Sequence, residues 1–319
     1  LYRREALAPD AEVAGPAVLA EHHATTVVEP GWRARVLAGG GLLLQRVHPL
    51  AGTLAPGTAV DPVRLEVFNH LFMNIAEQMG QQLQNTAASV NIKERLDFSC
   101  ALFDGEGQLI ANAPHMPVHL GSMSESIRSV IARNPGMRAG DVFVLNDPYH
   151  GGTHLPDITV VTPVFLGGGA GTPPFYVASR GHHADVGGIT PGSMPPFSQT
   201  IADEGVLLDN VLLVAQGQMR APEVLALLTS GPHPARNPQQ NIADLRAQVA
   251  ANEQGVQALG QLVQQMGLAT VQAYMGHVQD NAEESVRSAI TALHDGQFTL
   301  PLDNGAQIQV AVRVNVDQR

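Results

Sequence analysis

The chain of 319 residues has a single cysteine, Cys100. That excludes an intrachain disulfide and fits a reducing compartment, the cytoplasm. Aromatic residues are scarce at 4%, so a core has to be packed from aliphatic side chains. No uninterrupted apolar run approaches the length of a membrane span, and the first residues carry no signal-peptide pattern. Lys and Arg number 18 against 29 Asp and Glu, a formal net charge of −11, whereas a nucleic-acid surface needs a basic face. No P-loop or other phosphate-binding signature occurs. Neither a membrane nor a nucleic acid is therefore expected as a partner. What is present is 44% apolar residues, enough for a real core, with 32 glycines and 22 prolines. That composition suits a loop-rich enzyme better than a helical bundle, and the length allows two domains or one large one.

Residues 1–48 read as a small β-module with little to bury, its strands near Gly15–Leu19, Thr25–Val28, Arg33–Leu37 and Leu42–Leu44. Residues 49–60, rich in Gly, Pro and Thr and without periodicity, read as a linker. Asp61 and Pro62 then open a helix as N-cap and first helical residue, and the apolar stripe Val63, Val67, Phe68, Leu71, Ile75, Met79 carries it to the mid-80s. Two strands joined at Asp104–Gly105 follow, and Ser122 or Ser124 is a candidate cap for a helix bearing Ile127, Val130 and Ile131. Long helical patterns over 238–266 and 268–294 precede a closing hairpin with its turn at Asn304–Gly305. Glutamines of the first, Gln248 among them, read as a solvated face. The fold class expected is α+β, with mixed sheets and long helices.

The chemistry gathers between residues 146 and 188. Val142–Leu145 leads into Asn146-Asp147-Pro148-Tyr149-His150-Gly151-Gly152-Thr153-His154-Leu155-Pro156-Asp157, and Phe175–Ser179 leads into Gly181-His182-His183-Ala184-Asp185-Val186-Gly187-Gly188. Two neighbouring strands would thus present imidazoles and carboxylates at one end of a sheet, where scaffolded loops collect binding groups. Histidine and aspartate are the ligand types of a catalytic Zn, Mn or Fe site with an open position. His154 and Asp157, three apart across one Pro-containing turn, can face one ion, with His183 or His182 completing the set. Asp185 is a further ligand or an acceptor orienting an imidazole; the alternative is a set of ordinary turn residues. Asp97 lies in a strand, facing either solvent or the cavity of the histidines. His115 and His119, ahead of a helix N-terminus, serve structure or an anion.

Several of these stretches resemble the B component of hydantoinase/5-oxoprolinase enzymes, a family that includes a subunit of acetone carboxylase. They are Asp97-Phe98-Ser99 after Glu94-Arg95, Pro117-Val118-His119-Leu120-Gly121-Ser122-Met123, Asn146-Asp147-Pro148-Tyr149, Gly152-Thr153-His154-Leu155-Pro156-Asp157 and His182-His183-Ala184-Asp185-Val186-Gly187-Gly188. They stand in family order from residue 61 to about 255. Gly15-Pro16-Ala17, Thr25–Val28 and Pro30-Gly31-Trp32 resemble the end of the A component. The resemblance therefore implies an A-component remnant over 1–48, a linker over 49–60, and a hydantoinase B-like catalytic domain over 61–319, cut short on its C-terminal side.

The resemblance also implies a reaction. An A-like partner uses ATP, which this chain does not bind, to phosphorylate the carbonyl oxygen of a lactam or hydantoin. The B component then hydrolyses the activated species with a divalent metal, Mn, Zn or Fe. A cyclic amide is a poor electrophile, and phosphorylation makes its oxygen a leaving group for attack by metal-activated water. Carried over by motif, His154, Asp157 and His183 are the metal ligands, and Asp97 and Asp185 are near ligands or general bases. His119 handles substrate or a proton, and His182 joins the catalytic set; which of the paired histidines faces the ion stays open. The rivals are a metal-dependent ketone carboxylase subunit and an inactive assembly module. An exposed last strand leads one to expect an oligomer.

Overall fold

In a computed structural model, residues 1–48, 57–166 and 171–315 are described. The greater part of the expected linker, residues 49–56, lies outside them. The chain divides into two compact units, Leu1–Pro56 and Gly57–Arg319. The first holds six short strands: β1 (Tyr2–Arg3), β2 (Glu12–Ala14), β3 (Ala17–Ala20), β4 (Thr25–Val28), β5 (Trp32–Val36) and β6 (Leu42–Arg46). They form two three-stranded sheets, β1-β3-β4 and β2-β5-β6, around a small core of Val13, Leu19, Val28 and Ala34.

The second unit opens with α1 (Pro62–Thr86), where the Asp61 carboxylate accepts from the Arg64 amide at 2.8 Å and Pro62 occupies the first turn. A short α2 (Val90–Lys93), the hairpin β7 (Phe98–Asp104) and β8 (Leu109–Asn112), and α3 (Pro117–Arg133) follow. Next come β9 (Val142–Leu145), β10 (Asp157–Val164), β11 (Phe175–His182), a turn of helix α4 (Ile201–Glu204), β12 (Val211–Ala215) and β13 (Gln218–Met219). Three helices, α5 (Ala221–Leu228), α6 (Pro238–Met266) and α7 (Leu268–Ile290), precede the final hairpin β14 (Gly296–Pro301) and β15 (Gln307–Val312). The fold is α+β. No helix among the described residues is long and apolar enough to cross a membrane.

The scaffold is a seven-stranded sheet, β13-β12-β9-β10-β11-β7-β8, antiparallel at every pairing. Its central strands have no solvated face: β10 is buried throughout and β11 up to its last residue. Strand alternation divides the covering layers. Ala101, Phe103, Val161, Tyr176 and Ala178 pack under α3, here called the front. Cys100, Leu102, Phe175 and Val177 pack under α1, α6 and α7, the back. α3 starts at Pro117 without a side-chain cap, so Ser122 and Ser124 are inside the helix. Proline at the first position presets the helical φ and begins the helix ahead of the serines.

Candidate active site at the ends of β10 and β11

The antiparallel register sets Asp157, the first residue of β10, opposite His182, the last of β11. His182 Nδ1 lies 3.1 Å from Asp157 Oδ1. The turn before β10 brings His154 Nδ1 to 2.9 Å from Asp157 Oδ2. His119, in the first turn of α3, directs Nε2 at the same oxygen from 3.5 Å. Three imidazoles thus surround one carboxylate whose side chain is 6% exposed. Asp97, just ahead of β7, stands at the solvent side, its Oδ2 3.8 Å from His182 Nδ1. It follows Leu96, which is held at φ 58, a conformation rare for a branched side chain and common near functional sites.

Burial alone would raise the pKa of Asp157, but hydrogen bonds to His119, His154 and His182 outweigh it and hold the carboxyl well below the usual range. Burial would likewise lower His182, and the hydrogen bond and charge of Asp157 raise it instead. On the far side of His119, Nδ1 meets Ser99 Oγ at 2.9 Å, and that hydroxyl also donates to the Met116 carbonyl at 3.3 Å. Ser99 and Met116 thus hold the ring from its Nδ1 edge and aim Nε2 at the cluster, where a hydrogen bond to the Asp157 carboxylate, which can only accept, needs the proton on Nε2. Ser99, His119 and Asp157 form a serine–histidine–carboxylate line, yet Ser99 is fully buried. It orients the ring and is no nucleophile.

Beneath these groups lies Arg180, two residues before His182 on the same face of β11 and fully buried. Its Nε donates to Thr159 Oγ1 at 2.8 Å, Nη1 to Ser122 Oγ at 2.5 Å and Nη2 to Ser126 Oγ at 2.8 Å. Burial pulls its pKa down to about 10, which leaves it a cation at neutral pH. Removing a guanidinium from water costs several kcal/mol, and three charge-assisted hydrogen bonds at ~1.5–3 kcal/mol each offset that.

Two of the residues expected here stand elsewhere. His183 continues the strand alternation onto the back, where it is fully buried. Its Nε2 lies 3.0 Å from Gln248 Oε1 and its Nδ1 3.1 Å from Asn241 Nδ2. Gln248 Nε2 donates to the Ile158 and Ser179 carbonyls, and Asn241 Nδ2 to the Asp185 carbonyl, so His183 donates from Nε2 and accepts at Nδ1. Both nitrogens are engaged, and His182 takes the place expected of His183. Asp185 braces a loop: its carboxylate accepts from the amides of Gly187, Gly192 and Arg236 and pairs with the Arg236 guanidinium at 2.8 Å. Against the opposing effect of burial, these partners lower its pKa. Gln248, expected on a solvated face, is fully buried.

The donor set of His154, Asp157 and His182 suits a divalent metal, since one ligand atom from each lies within 4.8 Å of the others. Asp147, His150 and Asp209 meet the same geometric condition, but there a nearby arginine takes up part of the charge. Asp147 accepts from the Tyr149 amide and holds His150 Nδ1 at 2.6 Å, and Arg133 pairs with Asp209. Sequence reading missed Arg180, Ser99, Ser126, Thr159 and Asn241. The signal for Arg180 was a cation inside an otherwise uncharged run, Phe175–Gly181, where burial requires hydrogen-bonding partners.

A family model described as Hydantoinase B/oxoprolinase matches residues 61–319. 5-Oxoprolinase 1 of Arabidopsis thaliana is 46% identical over 302 residues, which cover 92% of this chain and 24% of that protein. The chain thus spans about a quarter of the length of the curated 5-oxoprolinases it matches. Among solved structures, the ATP-dependent caprolactamase from Pseudomonas jessenii superposes with a TM-score of 0.70 at 29% identity, covering 80% of this chain and 45% of that one. A nucleotide-free acetone carboxylase shares the fold at a TM-score of 0.67 and 18% identity, over 75% of this chain and 31% of the other.

Proposed function

The chain belongs to the hydantoinase B/oxoprolinase family, and on that footing we propose that it is the hydrolytic part of an ATP-dependent lactam hydrolase. Its substrate is a lactam or cyclic imide of the 5-oxoproline or hydantoin type, activated at the carbonyl oxygen by an A-like, ATP-using component. The observation that carries this reading is the convergence of His119, His154 and His182 on the single buried carboxylate of Asp157. The similarity to 5-oxoprolinase and to the caprolactamase supports the substrate class.

His154, Asp157 and His182 would hold a divalent cation, with Asp97 next to them. When bound, the cation supplies Lewis acidity, polarising a carbonyl or acidifying a water molecule. The chain's own residues do the rest. Asp157, kept ionised by its three imidazole partners, contributes the negative charge of the ligand set. His119 directs Nε2 toward the same space and gives or takes back a proton there. Asp97, with 30% of its side chain exposed, is the carboxylate open enough to take a proton from incoming water.

The test has two parts. Metal content of the purified chain is expected at roughly one divalent ion per molecule, and absent from His154→Ala and Asp157→Asn. Mixing the chain with an A-like component, ATP and 5-oxoproline or hydantoin should then give ring opening that Asp157→Asn abolishes. Full metal occupancy in both variants would sink the ligand assignment, and ring opening unaffected by Asp157→Asn would sink the catalytic one.

A further inference from the structure

Arg180 heads the fully buried side chains by size, and its three hydrogen bonds all end on hydroxyls rather than on a carboxylate. Each hydroxyl belongs to, or hands the contact on to, a different segment of the site. Thr159 is two residues along β10 from Asp157, on the same face. Ser122 Oγ donates to the carbonyl of His119 at 3.3 Å. Ser126 Oγ donates to the carbonyl of Gly151, in the turn that delivers His154. That approach requires glycine, because Gly151 has φ +98 and a Cβ there would lie 2.7 Å from the Glu125 carbonyl oxygen.

We propose that Arg180 is the positioning residue of the cluster, one planar guanidinium that clamps through three hydroxyls the separate segments carrying Asp157, His119 and His154. It touches neither ligand atom nor substrate. It fixes where three chain segments meet, while its own strand delivers His182. A planar fork with five N–H donors fixes several acceptors at once, and a lysine ammonium does not reproduce it. Ligand sets depend on such support for orientation. The inference rests on the metal reading above for its consequence, but not for its geometry.

The experiment uses the 319-residue chain and cobalt(II) as the probe, with binding and the visible absorption band as readouts. Arg180→Met should weaken cobalt binding by about tenfold or more and alter the band, and Arg180→Lys should fail to restore either. Ser126→Ala should weaken binding less, and less again in an Arg180→Met background than in the wild type, because one of the two hydrogen bonds it removes is already gone. Hydrogen exchange of the metal-free chain gives a readout independent of cobalt. Arg180→Met should speed exchange in both 116–122 and 149–157, Ser122→Ala only in the first and Ser126→Ala only in the second.

Wild-type affinity and spectrum in Arg180→Met would overturn the proposal, as would independent effects of Ser126→Ala and Arg180→Met. If the wild-type chain takes up no cobalt, the metal reading fails, and exchange alone decides the clamp: joint loss of protection supports it and unchanged protection overturns it. Should Arg180→Met not fold, Ser122→Ala, Ser126→Ala and Thr159→Val carry the test, and loosening that spreads beyond each one's own segment counts against the clamp.

Discussion

His182 and His183 are adjacent in sequence and opposite in fate. His182 turns to the front of the sheet, where Asp157 and Asp97 face it and raise its pKa. His183 turns to the back, where burial lowers its pKa against the charge of Asp244 and the hydrogen bond to Gln248, and where two side-chain amides engage both ring nitrogens. The division extends to other histidines. His119 and His154 join the carboxylate cluster, whereas His115 packs its ring against Phe98 and accepts the Cys100 amide at 3.1 Å. Cys100 itself lies on the back, its thiol pushed up by burial and unreactive. A histidine near carboxylates is available to a cation or a proton, and one enclosed by amides is a structural part. Position along the strand assigns the role, since a step of one residue changes the face.

The sharpest way to break this comparison is to exchange the losses. His182→Ala should lower metal affinity by about 100-fold, at or beyond the upper end of what losing even a supporting partner costs, while the unfolding midpoint changes little. Titration with cobalt(II) beside a urea melt measures both. His183→Ala should do the reverse. It opens a cavity, strands Gln248 Oε1 and leaves Asn241 Nδ2 only the Asp185 carbonyl, at a cost of ~2–4 kcal/mol in stability, with metal stoichiometry retained in the folded fraction. If His183→Ala emptied the site without lowering stability, the division by face would collapse.

Much of the scaffold was readable because its signals are local. Asp61–Pro62 started α1 as a cap and first turn should, and the periodic stretch over 238–266 is α6. The turn at Asn304–Gly305 lies between β14 and β15. His154 and Asp157 were also local, three residues apart across one turn. What resisted reading depends on register and on partners distant in sequence. Choosing between His182 and His183 needs the pairing of Asp157 with His182, a contact between strands. Gln248 looked solvated because glutamine usually is, yet it reaches the Ile158 carbonyl 90 residues away. Ser122 resembled a cap, and Pro117 had already started the helix. Long-range polar pairing leaves no periodic trace.

The weakest expected effect is also the one in which front and back should carry opposite signs. Burial, helped by the nearby charge of His119, lowers His115 from 6.5 to about 4. An unfolded His115 takes up its proton near pH 6.5 and the folded one only near pH 4, so across that interval unfolding binds a proton. Stability contributed by the neutral ring is present above pH 6.5 and is lost as pH falls toward 4. For His182 the folded pKa is raised, so in the metal-free chain its contribution is complete below the unfolded value and fades as pH rises through the folded one. Thermal midpoints of wild type, His115→Gln and His182→Gln, followed from pH 4 to 8 without metal, separate the two. His115→Gln should flatten the fall on the acid side and leave the neutral side alone, and His182→Gln should flatten the decline on the neutral side. Equal slopes in wild type and His115→Gln below pH 6.5 would mean that the ring is protonated at the back as readily as at the front, and that the faces do not differ in the way their partners require.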